Sequence, residues 1–226
     1  MSYIISQLLT EKQLSEMRSI LSSSKEWIDG RTSLSNPSQD TEIKRNLELS
    51  QQTDSYRQVS SVVYSALDNC QGFMDYTIGD QSGPVIFSRT STGGYYKPHF
   101  DMSNLGEFSS TIFLSDPDEY EGGELVLMDG NRPKKFKLSA GSMVTYNCGV
   151  AHQVTEVTNG TREVAVFWTQ SKFKNSRQRD IYSDLQKALR HLPPTNSIKS
   201  VGESQKDPSF LVKQAMYNLE RYKADL

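Results

Sequence analysis

Three histidines occur in 226 residues, and two of them stand where a metal could use them. His99 and Asp101 form an H-x-D, and His152 opens the segment A-H-Q-V about fifty residues further on. On a β-strand, residues i and i+2 point to one face, so an imidazole and a carboxylate in this spacing converge on a single ion. A histidine from a second strand then completes a two-histidine, one-carboxylate set. Such a facial triad leaves coordination positions open and suits non-heme iron(II). A structural zinc site would close with four ligands and commonly use cysteine. Ten residues past His152 is Arg162, in G-T-R-E-V-A-V-F-W. Its permanently charged fork suits the distal carboxylate of a keto-diacid whose other end chelates the metal. The intervening Asn159-Gly160 reads as a turn that would let the flanking strands pair as a hairpin. His191, the third histidine, falls in a helical pattern and is expected to be structural or exposed.

These groups need a rigid β framework, and the sequence supplies the pattern for one. From Pro84 to Gln170, short β-branched and aromatic runs (VIFS, STIFLS, ELVLM, KFKL, SMVTY, HQVTEV, EVAVFW) alternate with Gly, Asp and Asn. Seven or eight antiparallel strands forming a sandwich or barrel are expected, with His99 and Asp101 on the first of them. Gly122-Gly123 reads as a hairpin turn, since no helical pattern follows for a phosphate-binding loop. The Lys134-Lys135-Phe136-Lys137 cluster reads as a solvated strand edge.

Helices flank this region. Thr10 and Gln13 fit a capping box before a helix from about Glu11 to Ser24 carrying Leu14, Met17, Ile20 and Leu21. A second helix begins near Asp54 as N-cap, with Val59, Val62, Val63 and Leu67 as its stripe. Beyond Phe173, a helix carries Ile181, Leu185, Ala188 and Leu189. After Pro193-Pro194, a last helix from Pro208 to Ala224 buries Leu211, Ala215, Met216 and Leu219, against the domain or a second subunit, so a homodimer is open to it. The organisation expected is N-terminal helices and a connecting loop over 1–82, a catalytic core over 83–172, and a helical extension over 173–226. The turn-rich stretch Thr32 to Asp40 has the composition of a loop that closes over a cleft.

Bulk properties narrow the function further. Lys+Arg 25 against Asp+Glu 27 leaves no net field toward nucleic acid or membrane. No apolar run approaches the length of a membrane span, no secretory signal pattern opens the chain, and two cysteines, Cys70 and Cys148, are too few for a disulfide framework. A soluble cytoplasmic protein with reduced thiols is expected.

The segments G-G-Y-Y-K-P-H-F-D, T-I-F-L-S-D-P-D-E-Y-E-G-G-E-L, L-S-A-G-S-M-V-T-Y and A-H-Q-V-T-E-V-T-N-G-T-R together resemble the prolyl 4-hydroxylase-like branch of the iron/2-oxoglutarate oxygenases. Within it, the match is closest to the PKHD-type hydroxylases of bacteria. The resemblance is dense from about Phe87 to Leu192, and W-I-D-G at 27–30 extends it. It implies a mainly β fold with flanking helices, whose core is a double-stranded β-helix, a cupin-like jelly roll. It makes His99, Asp101 and His152 the iron ligands and Arg162 the anchor of the 2-oxoglutarate C5 carboxylate. Tyr96 would line the co-substrate pocket, and Trp168 and Gln170 the pocket wall. Two positions depart from the family pattern: Thr90 and Phe113 stand where relatives place tyrosines, which leaves the further hydrogen bonds to that carboxylate unassigned. The cofactors implied are iron(II), 2-oxoglutarate and dioxygen, with ascorbate as an addition. The activity implied is C–H hydroxylation with release of succinate and carbon dioxide, first of all of a prolyl residue in a protein or peptide. A free amino acid or siderophore-like substrate is the alternative, and a non-enzymatic metal-binding cupin module a third reading.

Overall fold

The computed structural model describes residues 3–34, 42–102, 104–129, 132–193 and 201–222. Two antiparallel sheets enclose the site. The larger, of nine strands, runs in the order β1 (Tyr3–Gln7), β12 (Ser142–Asn147), β8 (Phe108–Phe113), β14 (Val157–Ser171), β6 (Ile86–Ser91), β4 (Leu47–Leu49), β2 (Trp27–Asp29). β5 (Gly79–Ser82) and β9 (Tyr120–Gly122) pair with β14 off this path. The smaller sheet runs β11 (Arg132–Phe136), β10 (Leu125–Asp129), β13 (His152–Val154), β7 (Tyr95–His99), β3 (Lys44–Arg45). This is the mainly β, jelly-roll architecture expected.

The period-2 alternation of β14 and β6 divides the molecule into its two cores. From β14, Val164, Val166 and Trp168 line the central cavity with Arg162, and from β6 so do Ile86, Ser88 and Thr90. The intervening Phe87, Ala165 and Phe167 face away and join a helix-covered core with Met17, Leu21, Val59, Val63, Leu67 and Phe73. Burying both faces of a sheet demands apolar residues at successive positions, which is why the run V-A-V-F-W lacks polar alternation.

Three helices supply the cover. In α1 (Glu11–Ser23), Thr10 and Gln13 form the expected capping box. In α2 (Asp54–Leu67), the N-cap is Thr53, whose hydroxyl accepts from the Tyr56 amide; Asp54 is the first helical residue, where its charge complements the helix N-terminus. A third helix, α3 (Gln71–Thr77), packs its Phe73 on Phe167 at 6.0 Å between ring centroids. The first 82 residues do more than pack on the core, because five strands of the segment extend both sheets.

Several local expectations are revised. Asn159-Gly160 closes no hairpin: β14 runs straight through it, bulged against β9, while β13 pairs with β10 and β7 in the other sheet. Gly122-Gly123 likewise carries the chain from one sheet to the other, since β9 pairs with β14 and β10 with β11 and β13. His99 closes the second strand of the 84–170 region, and Asp101 lies just beyond its end. In α4 (Ser176–His191), the buried residues are Arg179, Tyr182 and Ser183, whereas Ile181 is exposed. Here the guanidinium of Arg179 donates to the Phe173 carbonyl at 3.0 Å and Ser183 donates to the Asp75 carbonyl at 2.8 Å, so polar partners rather than hydropathy orient the helix. After a short α5 (Val201–Ser204) comes α6 (Pro208–Tyr222). Its Met216 and Leu219 pack on Ile78, Phe173 and Tyr182 within the same chain, and Leu211 and Tyr222 are exposed. The Lys134-Lys135 edge is borne out, with β11 at the border of the smaller sheet. Most of the Thr32–Asp40 loop and the end of the last helix lie outside the described residues. No helix among the described residues is long and apolar enough to cross a membrane.

The crossover at Gly122 gives a stability prediction. Gly122 has φ +69, and an added Cβ would lie 2.0 Å from the Glu156 carbonyl oxygen, so the backbone itself would have to move. Gly122→Ala is expected to lower stability by about 2 kcal/mol or more, combining left-handed strain with that clash. The control Gly202→Ala, with nothing near the added methyl, should change it by about 1 kcal/mol at most. Denaturant midpoints of the two variants decide; equal midpoints would contradict the clash.

Candidate active site

The smaller sheet brings the two histidines together by register. His99 on β7 and His152 on β13 are cross-strand partners, with ring centroids 4.2 Å apart. Asp101, just past the end of β7, sets its Oδ1 3.6 Å from His152 Nε2. One ligand atom from each of the three residues lies within 4.8 Å of the others. The i, i+2 argument thus holds in outcome, although the second residue sits beyond the strand end.

Each imidazole is oriented by the main chain. His99 Nδ1 is 2.8 Å from the Lys97 carbonyl oxygen and His152 Nδ1 is 3.0 Å from that of Val150. A carbonyl only accepts, so both Nδ1 atoms carry the proton and donate it, which leaves the Nε2 lone pairs for a metal. Burial, together with the nearby His152, pushes His99 down to about 4, so its ring is neutral near pH 7, the form a metal requires. Asp101 Oδ2 is buried without a hydrogen-bond partner. Two oriented imidazoles beside a buried carboxylate with an unused oxygen are a donor set that fits a divalent cation.

Arg162 completes the arrangement from the larger sheet. It is 3 % exposed, lines the same cavity of about 310 Å³ as His99, Asp101 and His152, and its Nε has no hydrogen-bond partner. No carboxylate among the described residues pairs with it. Burial lowers its proton affinity, offset in part by the neighbouring Tyr120 and Tyr146. The Phe113 ring lies 5.8 Å from its Cζ. Thr90 is its cross-strand partner. Both departures from the family pattern therefore border this guanidinium.

Tyr96 lines the cavity and stacks on His99, centroids 3.6 Å apart at 14°. Trp168 lines the cavity with a buried, unpartnered Nε1, whereas Gln170 is exposed and pairs in the β14–β5 ladder, so only the tryptophan of that pair reaches the wall. Cys148 is buried and pushed up to about 12, chiefly by burial, which keeps it an unreactive thiol. His191 is exposed at the end of α4, away from the site. Of the closing-loop candidate, Thr32, Ser33 and Leu34 are described, and the last two line the cavity.

Sequence reasoning missed Lys44 and Glu48. They form a buried ion pair in the cavity wall, Nζ to Oε1 2.8 Å, with side chains 4 % and 9 % exposed. The charge-rich T-E-I-K-R-N-L-E-L reads as solvated strand, and nothing local marks two of its charges as buried. Phe100, between two ligand residues and 67 % exposed, and Met102, 42 % exposed, were also missed; both line the cavity.

Residues 85–170 match the family model of the 2OG-Fe(II) oxygenase superfamily. The chain is 33% identical over 198 residues to a PKHD-type hydroxylase of Gluconacetobacter diazotrophicus, covering 83% of this chain and 86% of the relative. A PKHD-type hydroxylase of Xanthomonas campestris pv. campestris is 34% identical over 200 residues, again with 83% and 86% covered. Among solved structures, a Pseudomonas putida prolyl-4-hydroxylase superposes with a TM-score of 0.52 at 16% identity, covering 75% of this chain and 92% of that one. A Trichoplax adhaerens prolyl hydroxylase in complex with a hypoxia inducible factor peptide fragment gives 0.58 at 15%, covering 79% and 86%. Fold and comparisons define an Fe(II)/2-oxoglutarate-dependent dioxygenase. Within that class, the chain belongs to the PKHD-type hydroxylases.

The donor set gives a direct test. Asp101→Ala is expected to weaken iron(II) binding by about 100-fold or more, because removing a ligand should cost at least as much as removing the outer groups that orient one. Anaerobic iron(II) titration measures it, and wild-type affinity in the variant would remove Asp101 from the set.

Proposed function

We propose that His99, Asp101 and His152 hold iron(II), that Arg162 binds the C5 carboxylate of 2-oxoglutarate, and that the protein hydroxylates a prolyl residue in a protein or peptide. The observation that carries this reading is the buried guanidinium without a carboxylate partner among the described residues, in the same cavity as a set of side chains that could hold a metal. A buried charge is costly unless paired. A diacid that chelates the metal at one end supplies the missing partner at the other. Tyr96, stacked on His99, would border that co-substrate.

Iron(II) with 2-oxoglutarate and dioxygen supplies the oxidising chemistry, in which the co-substrate becomes succinate and carbon dioxide and an oxygen atom enters a C–H bond. The chain's own side chains bind, orient and exclude water. Val154, Val164, Val166, Leu125 and Ile86 form an apolar lining that keeps solvent from the reacting centre. No side-chain acid or base is called for in the hydrogen abstraction, so the residues assigned to catalysis are those assigned to binding.

The prolyl assignment draws on the relatives' names and on the exposed Phe100 and Met102 beside the ligands, an apolar surface on which a pyrrolidine ring would pack. Residues 83–172 are assigned as the oxygenase core, with 1–82 and 173–226 as its supports. The free thiols Cys70 and Cys148 support a cytoplasmic location. Ascorbate is assigned as an auxiliary cofactor on the family resemblance alone.

The test is a library of proline-containing peptides incubated with enzyme, iron(II), 2-oxoglutarate and air, with mass spectrometry locating any added oxygen. Oxygen on proline, matched by succinate, is the expected result; succinate without peptide oxidation, or oxidation of free amino acids instead, would overturn the prolyl assignment. Arg162→Ala should raise the 2-oxoglutarate requirement by about tenfold or more, the loss of a buried charge-assisted pair, while leaving iron(II) affinity nearly unchanged. If iron(II) affinity fell instead, Arg162 would be supporting the metal ligands and the anchor would lie elsewhere.

A further inference from the structure

Lys44 is a buried cation for which neither the metal donor set nor the co-substrate anchor has a use. It is 5 % exposed and lines the central cavity, where Arg162 is the other cationic side chain among the described lining residues. Two of its three ammonium protons go to protein acceptors, Glu48 Oε1 and Ser33 Oγ, each at 2.8 Å. Burying an ion pair costs desolvation that mutual attraction only partly offsets, and an apolar pair of similar volume commonly serves stability as well. Structural need alone therefore accounts poorly for a charge at this place.

Its position relates it to the chemistry. Lys44 on β3 is the cross-strand partner of Tyr96 on β7, and its Nζ lies 5.1 Å from the Tyr96 ring centroid. That ring stacks on His99. The ammonium is thus one aromatic layer from His99, in a wall that combines apolar groups such as Ile43, Ile86 and Leu105 with the polar Asn46, Ser88 and Thr90. Lys44, Asn46 and Tyr95 also line a second, open and polar groove of about 800 Å³ that includes Arg45 and Glu156. Lys44 is thus shared by that groove and the central cavity.

We propose that Lys44 is a specificity-determining residue, whose remaining proton holds a backbone carbonyl oxygen of a peptide substrate that enters along this groove and presents its side chain to the iron site. The proposal rests on the oxygenase reading and deepens it. A carbonyl oxygen accepts from a fixed ammonium without bringing a second charge to the neutral Lys44–Glu48 pair, which favours it over a carboxylate.

Three probes test this by anaerobic calorimetric titration of the iron(II)- and 2-oxoglutarate-loaded protein: N-acetylproline methylamide, N-acetylproline and N-acetylalanine methylamide. They are titrated into wild type, Lys44→Met and Lys44→Met/Glu48→Met, the double variant guarding against a buried unpaired Glu48. Expected is binding of N-acetylproline methylamide to wild type, weakened about tenfold or more in the double variant, with iron(II) and 2-oxoglutarate affinities retained. Lys44-dependent binding confined to the free acid would overturn the carbonyl assignment. Equal Lys44-dependent binding of the alanine probe would refute proline as the target and leave the role of Lys44 standing. Binding of no probe to wild type, or equal binding to the double variant, would overturn the proposal. Failure of the oxygenase reading is separately visible, as an absence of 2-oxoglutarate binding before any probe is added.

Discussion

A guanidinium held out of water, with no carboxylate beside it among the described residues, is the constraint around which this molecule is organised. Arg162 is placed by β14, between the cross-strand neighbours of β6 and, further along, β8. The chain makes room for it. Gly123 brings its backbone so near that an added Cβ would lie 3.1 Å from Arg162 Cδ, and Tyr120 and Phe113 close over the remaining sides. None of these neighbours supplies a full negative charge. An arrangement this costly in isolation becomes favourable when a ligand carboxylate completes it, and the cavity it faces also contains two imidazoles and a carboxylate with an unused oxygen.

The scaffold answers to that requirement in a simple way. Strand alternation sends one set of β6 and β14 side chains into the cavity and the other set beneath the helices, so helices α1 to α3 are needed to keep the far face dry. The site straddles two sheets. Arg162 is on the larger, and the histidines are a directly opposed pair on the smaller. The distance between Arg162 and the two histidines is therefore set by sheet packing rather than by any flexible loop, which is the rigidity that a chelating, two-ended ligand would demand.

The chemistry was more legible in the sequence than the topology. Histidine is rare in this chain, so H-x-D, a second histidine and an arginine within one β-rich segment pointed to four residues that the structure gathers in one cavity. The capping box of α1 was legible because its two hydrogen bonds are local. What failed were inferences from turn signals. Asn159-Gly160 and Gly122-Gly123 have hairpin composition, but their flanks find partners in different sheets, and such pairing is decided by contacts far apart in sequence. The face of α4 was misread for a related reason: Arg179 and Ser183 are buried through hydrogen bonds to carbonyls of Phe173 and Asp75, which hydropathy ignores. Lys44 was invisible because its burial depends on Glu48 and Ser33 meeting it in space.

The central claim is that metal and anchor cooperate on a single two-ended ligand. Anaerobic titration of 2-oxoglutarate with and without iron(II) examines it directly. The account predicts a metal-to-ligand charge-transfer absorption that appears only when both are present, together with tighter 2-oxoglutarate binding in the presence of iron(II), and the loss of the absorption in His99→Ala. Binding of 2-oxoglutarate that is indifferent to iron(II), with no such absorption, would contradict it.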